Sequence, residues 1–353
     1  MSRSLPLSHC PVCSHNSFQT LATEQDIAQQ VQWRDEFVYA RTERRQNASE
    51  LKDLTDLMHG FPAPLLTCTH CGLTIRAEQQ QRGAQSYEED PNDLDLMRQL
   101  RPRYTQAFRN KGAAYQPLLR PHAEVLEIAP HLGGFLQAAA EWSWNPIGLD
   151  IGQDVISFLK PEGFRVHYGV IEEAHLPEHS FDAVFVWNCF DQLEHPGTTL
   201  SAIHRVLKPH GLLVLRVPNI ALFTALLPRM RQGTLSRREL QVLAYNNLLT
   251  FPYLFGYDEH SLVRLASRWG FAPLEGFNTE LLTMPFPVLT EQIESEENAV
   301  TEAAVDNQVE TNGQLNGPWI EVVFLRRDES ELPDRSSKHQ YPRHVPRFLP
   351  RAA

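Results

Sequence analysis

Residues 124–219 constrain the fold of this chain more than any other part. The stretch opens with Glu124-Val-Leu-Glu127-Ile, an apolar run closed by a carboxylate, and passes through Ala129-Pro130-His131-Leu132 to the pair Gly133-Gly134. Phe135 and the Leu-Gln-Ala-Ala-Ala-Glu-Trp that follows read as helix, so the order is strand, ligand loop, helix. Seventeen residues after Gly133 a second apolar run ends in Asp150, where a nucleotide fold hydrogen-bonds ribose hydroxyls. Two acids thus close two successive strands.

A third apolar run, Ser180-Phe-Asp-Ala-Val-Phe-Val-Trp187, leads into a polar loop over 188–195, then a helix from about Thr198 to Leu207. Leu-Lys-Pro-His-Gly at 207–211 turns the chain into another apolar run that ends at Asn219. Strands this continuously apolar belong to a parallel sheet covered on both faces. The Gly-x-Gly-x-x-Gly turn that lets backbone approach a dinucleotide pyrophosphate is missing.

With these blocks in this order, residues 120 to 285 resemble the class I S-adenosylmethionine-dependent methyltransferases. The resemblance implies a Rossmann-like α/β fold with a seven-stranded, mostly parallel sheet, and S-adenosylmethionine as cofactor. It implies that Glu127 serves the methionine end and Asp150 the ribose. Ile151, Ile171 and Glu172 would serve the adenine, with Ala129, Gly133, Gly134, Phe135 and Asn188 lining the same site. Ala129 and His131 stand where the family reads glycine, and Pro130 is expected to push Ala129 toward extended geometry. The ligand crevice of such a sheet lies beyond the carboxyl ends of its strands, which points to Asp191 and His195 as candidate proton acceptors, with His195 preferred. Tyr104 and Tyr115, on a preceding helical stretch, are candidate lid residues.

Residues 1–85 read as a metal module with a helical insertion. Cys10-Pro-Val-Cys13 and Cys68-Thr-His-Cys71 are two knuckles, and four thiolates make a closed, structural Zn²⁺ site despite the 54 residues between the pairs. Residues 86–123 read as a helical connector and 124–327 as the catalytic domain, within which 220–257 would form an acceptor lid. Residues 290–317 carry seven acids and no Lys or Arg, and read as a disordered acidic insertion. Residues 328–353 read as a disordered basic tail.

A net charge of −11 disfavours a broad grip on nucleic acid. No run of 18 apolar residues exists and the N-terminus lacks the apolar core of a signal peptide, so a cytoplasmic protein without a membrane partner is expected. The leading expectation is a methyltransferase for a small, sugar-like or secondary-metabolite-like acceptor. A zinc-ribbon RNA methyltransferase and a non-catalytic binding protein with a degenerate cofactor pocket are the alternatives. The sequence leaves the oligomeric state open.

Overall fold

Alternation along the central strands sorts their side chains onto two faces, and each face is buried by helices. A computed structural model describes residues 9–29, 63–77, 94–236, 239, 254–279, 309–311, 314–316 and 319–327. Its main sheet contains β4 (Glu124–Ile128), β5 (Asn145–Asp150), β6 (Val166–Tyr168), β7 (Phe181–Trp187), β8 (Leu207–Pro218), β10 (Phe271–Thr279) and β13 (Trp319–Arg326). The order is β10-β13-β8-β7-β4-β5-β6, with β13 antiparallel to both its neighbours and β4 to β8 parallel.

Val125 of β4 and Ala183, Phe185 and Trp187 of β7 pack beneath α1 (Leu94–Tyr115) and α2 (Gly134–Glu141). Leu126, Ile128, Val184 and Val186 point the other way, under α4 (Pro196–Val206) and α6 (Glu259–Arg268). Between β5 and β6 the chain runs through α3 (Gln153–Leu159). Because β5 lies on one side of β4 and β7 on the other, the chain switches direction at β4, and the crevice falls at the carboxyl ends of these three strands.

A second sheet of four short strands joins β1 (Phe18–Ala22), β2 (Leu65–Cys68), β3 (Thr74–Arg76) and β9 (Phe255–Gly256). The last of these comes from 220–257, the segment expected to be an acceptor lid. Its Leu254 N–H donates to the Asp191 carbonyl (2.8 Å) and the Leu254 carbonyl accepts from Arg76 N–H (3.0 Å). The Tyr257 carbonyl accepts from Ile220 N–H (2.9 Å). A strap of four residues therefore joins the cysteine module to the crevice. Helix α5 (Ile220–Arg231) also packs its Leu222, Phe223 and Leu226 against Ala22, Ile27 and Leu65 of the module.

Within the stretch 290–317, β11 (Val309–Thr311) and β12 (Gln314–Asn316) pair as antiparallel strands, while residues 290–308 lie outside the described residues. Of the helical insertion expected in the metal module only 24–29 is described, as helix; the start of the expected connector, 86–93, and the tail at 328–353 lie outside the described residues. Among the described residues no helix is long and apolar enough to cross a membrane.

One buried ionic cluster crosses the main sheet. The Glu321 carboxylate of β13 takes Lys111 Nζ (2.8 Å) and the Tyr115 hydroxyl from α1, with Arg216 Nε of β8 at 3.6 Å. Arg216 also lies over the Trp319 ring, 4.1 Å from its centroid, and donates to Asn188 Oδ1. Tyr115 is thus fixed in the core, which removes it as a lid residue. Breaking a buried ion pair from one side strands the remaining charge. Glu321→Ala is expected to destabilise the protein by about 3–5 kcal/mol in urea unfolding, and Lys111→Met to cost less because Arg216 still faces the carboxylate.

Candidate cofactor and acceptor site

The loop after β4 does the opposite of what Pro130 predicts. Ala129 (φ 58°) and His131 (φ 45°) both adopt the left-handed conformation, followed by Gly133 (φ 74°). These are the positions where the family reads glycine, so the backbone path is that of a glycine loop built partly from residues that pay for it in strain, about 1–2 kcal/mol each. One tertiary and one local hydrogen bond hold it: Ala129 N–H donates to the Leu149 carbonyl of β5 (2.9 Å), and Gly133 N–H closes a turn onto the Pro130 carbonyl (2.8 Å). Gly134 answers to packing, since a β-carbon there would lie 2.7 Å from the Tyr104 β-carbon. Phe135 is fully buried among Phe108, Trp142, Phe185 and Trp187, so only its backbone is available to a ligand.

Glu127 and Asp150 end up near each other at the tips of adjacent parallel strands, both buried. Asp150 Oδ1 accepts from Gly152 N–H (2.8 Å), whereas Glu127 Oε2 has no hydrogen-bond partner. Burial pushes both carboxyls up, Asp150 to about 6 and Glu127 well above the usual range, the latter also through the charge on Asp150. Ile151 and Glu172 are half-buried at the same edge and Ile171 is buried. Glu172 accepts a hydrogen bond from Thr199 Oγ1.

From the far side of the crevice comes the loop after β7. Asn188 is itself left-handed (φ 57°), with its side-chain oxygen taken by Arg216 and its carbonyl by Gln192 Nε2 (3.0 Å). Asp191 is buried with Oδ1 lacking a partner, and burial lifts its carboxyl to about 8. Cys189 is pushed well up by burial and by the charges of Asp191, Asp150 and Glu127, which marks one shared acidic neighbourhood and rules it out as an activated thiol. His195, the other candidate proton acceptor, is exposed at the N-terminus of α4. Tyr257 of the strap has its hydroxyl buried without a partner, where it feels the charges of Asp191 and of Cys10. Desolvated acceptors without donors cost free energy unless a ligand satisfies them, so the crevice fits a molecule that brings several donors and positive charge.

A family model described as a methyltransferase domain matches residues 97–275, just over half of the 353-residue chain. The chain belongs to this methyltransferase family. It is an enzyme of the class I, S-adenosylmethionine-dependent type, as the order of its sequence blocks implied. Solved structures similar to it include a SAM-dependent methyltransferase from Archaeoglobus fulgidus, at 16% identity and TM-score 0.41 over 63% of this chain and 94% of that one. Another is an S-adenosylmethionine-dependent methyltransferase from Mesorhizobium loti, at 13% identity and TM-score 0.41 over 61% of this chain and 97% of that one. No curated protein matches this methyltransferase.

Away from the crevice the methyltransferase brings Cys10, Cys13, Cys68 and Cys71 together, all four sulfurs within 4.8 Å of one another. Cys10 Sγ is 3.4 Å from Cys71 Sγ and Cys13 Sγ 3.5 Å from Cys68 Sγ. The knuckles are alike: the residue after each pair is left-handed, Ser14 at φ 63° and Gly72 at φ 80°. Ser14 N–H returns to the Cys10 carbonyl (2.8 Å) and Gly72 N–H to the Cys68 carbonyl (3.0 Å). Hydrogen bonding with Cys71, aided by the N–H groups of Cys13 and Val12, holds the Cys10 thiol down to about 5. Four converging sulfurs with amide donors aimed at them fit a tetrahedral divalent metal.

The buried acids set a pH dependence. A carboxyl raised in the folded state binds protons that the unfolded chain has released, so stability falls as pH rises between the two values. For Asp191 that window runs from its ordinary 3.8 up to about 8, and for Asp150 from 3.8 to about 6. The unliganded protein is expected to melt at lower temperature at the top of this window than at the bottom, and Asp191→Asn to lessen the dependence above about pH 6, Glu127 and Glu259 supplying the remainder, as read by calorimetric melting across the range.

Proposed function

We propose that this enzyme transfers the methyl group of S-adenosylmethionine to a small, sugar-like or secondary-metabolite-like molecule, and that its four cysteines hold a structural Zn²⁺. The observation that carries the cofactor assignment is the unsatisfied, buried Glu127 beside Asp150 at the end of a left-handed loop. In this reading the Asp150 carboxylate accepts from the ribose hydroxyls and Glu127 from the amino group of the methionine portion. Ala129, Gly133, Gly134 and Phe135 contribute backbone, Ile151, Ile171 and Glu172 the adenine side, and Asn188 the rim facing the acceptor. The cofactor supplies the reactive methyl and the leaving group. What the chain does is hold the nucleoside, align the acceptor, exclude water and take up a proton.

Asp191 is the proton acceptor of choice. It is buried in the crevice, its free oxygen lacks a partner, and a carboxyl titrating at about 8 is matched to accepting a proton near neutral pH. A small acceptor agrees with the acidic charge of the chain, which offers nucleic-acid phosphates little.

The metal centre has no open coordination position once four thiolates bind, so its part is architectural. It fixes β2 and β3, and β3 in turn pairs with the strap 254–257 that bonds to Asp191 and Ile220. In this reading 1–85 serves as a supporting module, 86–123 as a connector and 124–327 as the catalytic domain, with the strap shared between the first and the last.

Two outcomes test the proposal. Asp150→Ala is expected to weaken S-adenosylhomocysteine binding by roughly tenfold to a hundredfold in titration calorimetry, the loss for hydrogen bonds to a charged group. Stripping the metal with a strong chelator under reducing conditions is expected to deprotect the Arg76 and Leu254 amides in hydrogen exchange while the β4 amides stay protected, because only the former depend on the module. Unchanged affinity in the first case, or unchanged protection in the second, removes the corresponding assignment.

A further inference from the structure

Two buried polar groups beside the crevice are left over once the cofactor is given its acids. Asp191 Oδ1, from the loop after β7, and the Tyr257 hydroxyl, from the strap, are both buried and both without a hydrogen-bond partner. They are neighbours: the Tyr257 ring lies 5.6 Å from that of Phe190, the strap is bonded to the Asp191 carbonyl through Leu254 N–H at 2.8 Å, and the Tyr257 hydroxyl, set between the loop after β7 and the cysteine module, feels the charges of Asp191 and Cys10. They do not bond to each other. One oxygen needs a donor, and one hydroxyl needs an acceptor for its proton.

We infer that Asp191 and Tyr257 together grip the reacting atom of the acceptor and that this atom is the oxygen of a neutral hydroxyl group, making the enzyme an O-methyltransferase. This deepens the methyltransferase reading and rests on it. Hydroxyl oxygen is the atom that meets all three demands at once. It donates its proton to Asp191, accepts the Tyr257 proton on one lone pair, and keeps a second lone pair for the methyl carbon. Neutral amine nitrogen has a single lone pair, which Tyr257 would occupy, and an ammonium has none. As the C–O bond forms, the bond from the methyl carbon to the sulfonium sulfur breaks and its electron pair stays on sulfur, leaving a neutral thioether. The hydroxyl proton passes to the Asp191 carboxylate, so the charges of the sulfonium and the carboxylate cancel.

The strap explains why such a pair can exist. Tyr257 is held through its backbone, by Ile220 N–H and a bridge to Asn219, and its ring is packed by Phe190 and Phe255. None of these contacts uses the hydroxyl. Packing alone would be served by a phenylalanine, and burying an extra unpartnered hydroxyl is destabilising.

The test uses full-length, metal-loaded protein saturated with S-adenosylhomocysteine and saturation-transfer NMR with three probes, phenol, methyl glucoside and butylamine. Transfer to phenol or methyl glucoside is expected, with none to butylamine. Tyr257→Phe and Asp191→Asn should each weaken binding of the hydroxyl probe by roughly tenfold while leaving S-adenosylhomocysteine affinity unchanged. Tyr257→Phe should also melt no lower than the parent, since it removes an unsatisfied group. Three results would each overturn the inference: preference for butylamine, no transfer from either hydroxyl probe, or a Tyr257→Phe variant that melts lower and binds the probes normally. If the parent protein fails to bind S-adenosylhomocysteine at all, the cofactor assignment is what has failed.

Discussion

Desolvation of carboxylates at the ends of parallel strands is the constraint around which this molecule is arranged. Glu127, Asp150 and Asp191 are buried at one edge of the sheet, and two of them keep an oxygen with no donor. A protein interior does not tolerate such groups without return, and their elevated proton affinity is the measure of that cost. The surrounding structure bears it through continuous apolar strands, aromatic packing under α1 and α2, and a loop forced into left-handed geometry at Ala129 and His131. Strain and unsatisfied polarity concentrated at one crevice are what a binding site looks like before its ligand arrives.

The cysteine module is woven into this arrangement instead of being appended to it. Its knuckles share a hydrophobic core with α4 and α6, where Cys10, Val12 and Leu73 meet Leu262 and Leu265. Arg268 reaches back from α6 to the Val12 carbonyl (3.0 Å), and the capping box of Asp258 and Ser261 starts that helix beside the Gly72 turn. Between them the strap at 254–257 carries backbone hydrogen bonds to both bodies. A metal held by these four sulfurs would therefore also fix the wall on which Tyr257 sits.

Much of the architecture was legible in the sequence because burial on both faces leaves a plain record: apolar runs of five to seven residues, each closed by an acid, a turn or a helix start. Asp258 as a helix cap, Gly270 (φ 89°) as the stop after α6 and the two knuckles were readable for similarly local reasons. Three features were not. Ala129 was expected to be extended because local sterics before proline say so, and a tertiary hydrogen bond overrode them. His195 drew attention for its chemistry, but exposure is a property of the folded chain that residue type does not report. The strap pairs residues 74–75 with 255–256, a separation no local pattern encodes. One signal was present and unread: Arg216 and Glu321, opposite charges inside otherwise apolar runs, mark strands that must pair with each other, as they do.

The account stands or falls on where a single nucleoside binds. A crystal structure of the protein grown with S-adenosylhomocysteine addresses this directly. Density in the crevice with ribose hydroxyls on Asp150, the amino group on Glu127 and the thioether sulfur facing Asp191 and Tyr257 is the predicted result. A nucleoside bound elsewhere, or bound there with Glu127 Oε2 still unpartnered, would contradict it.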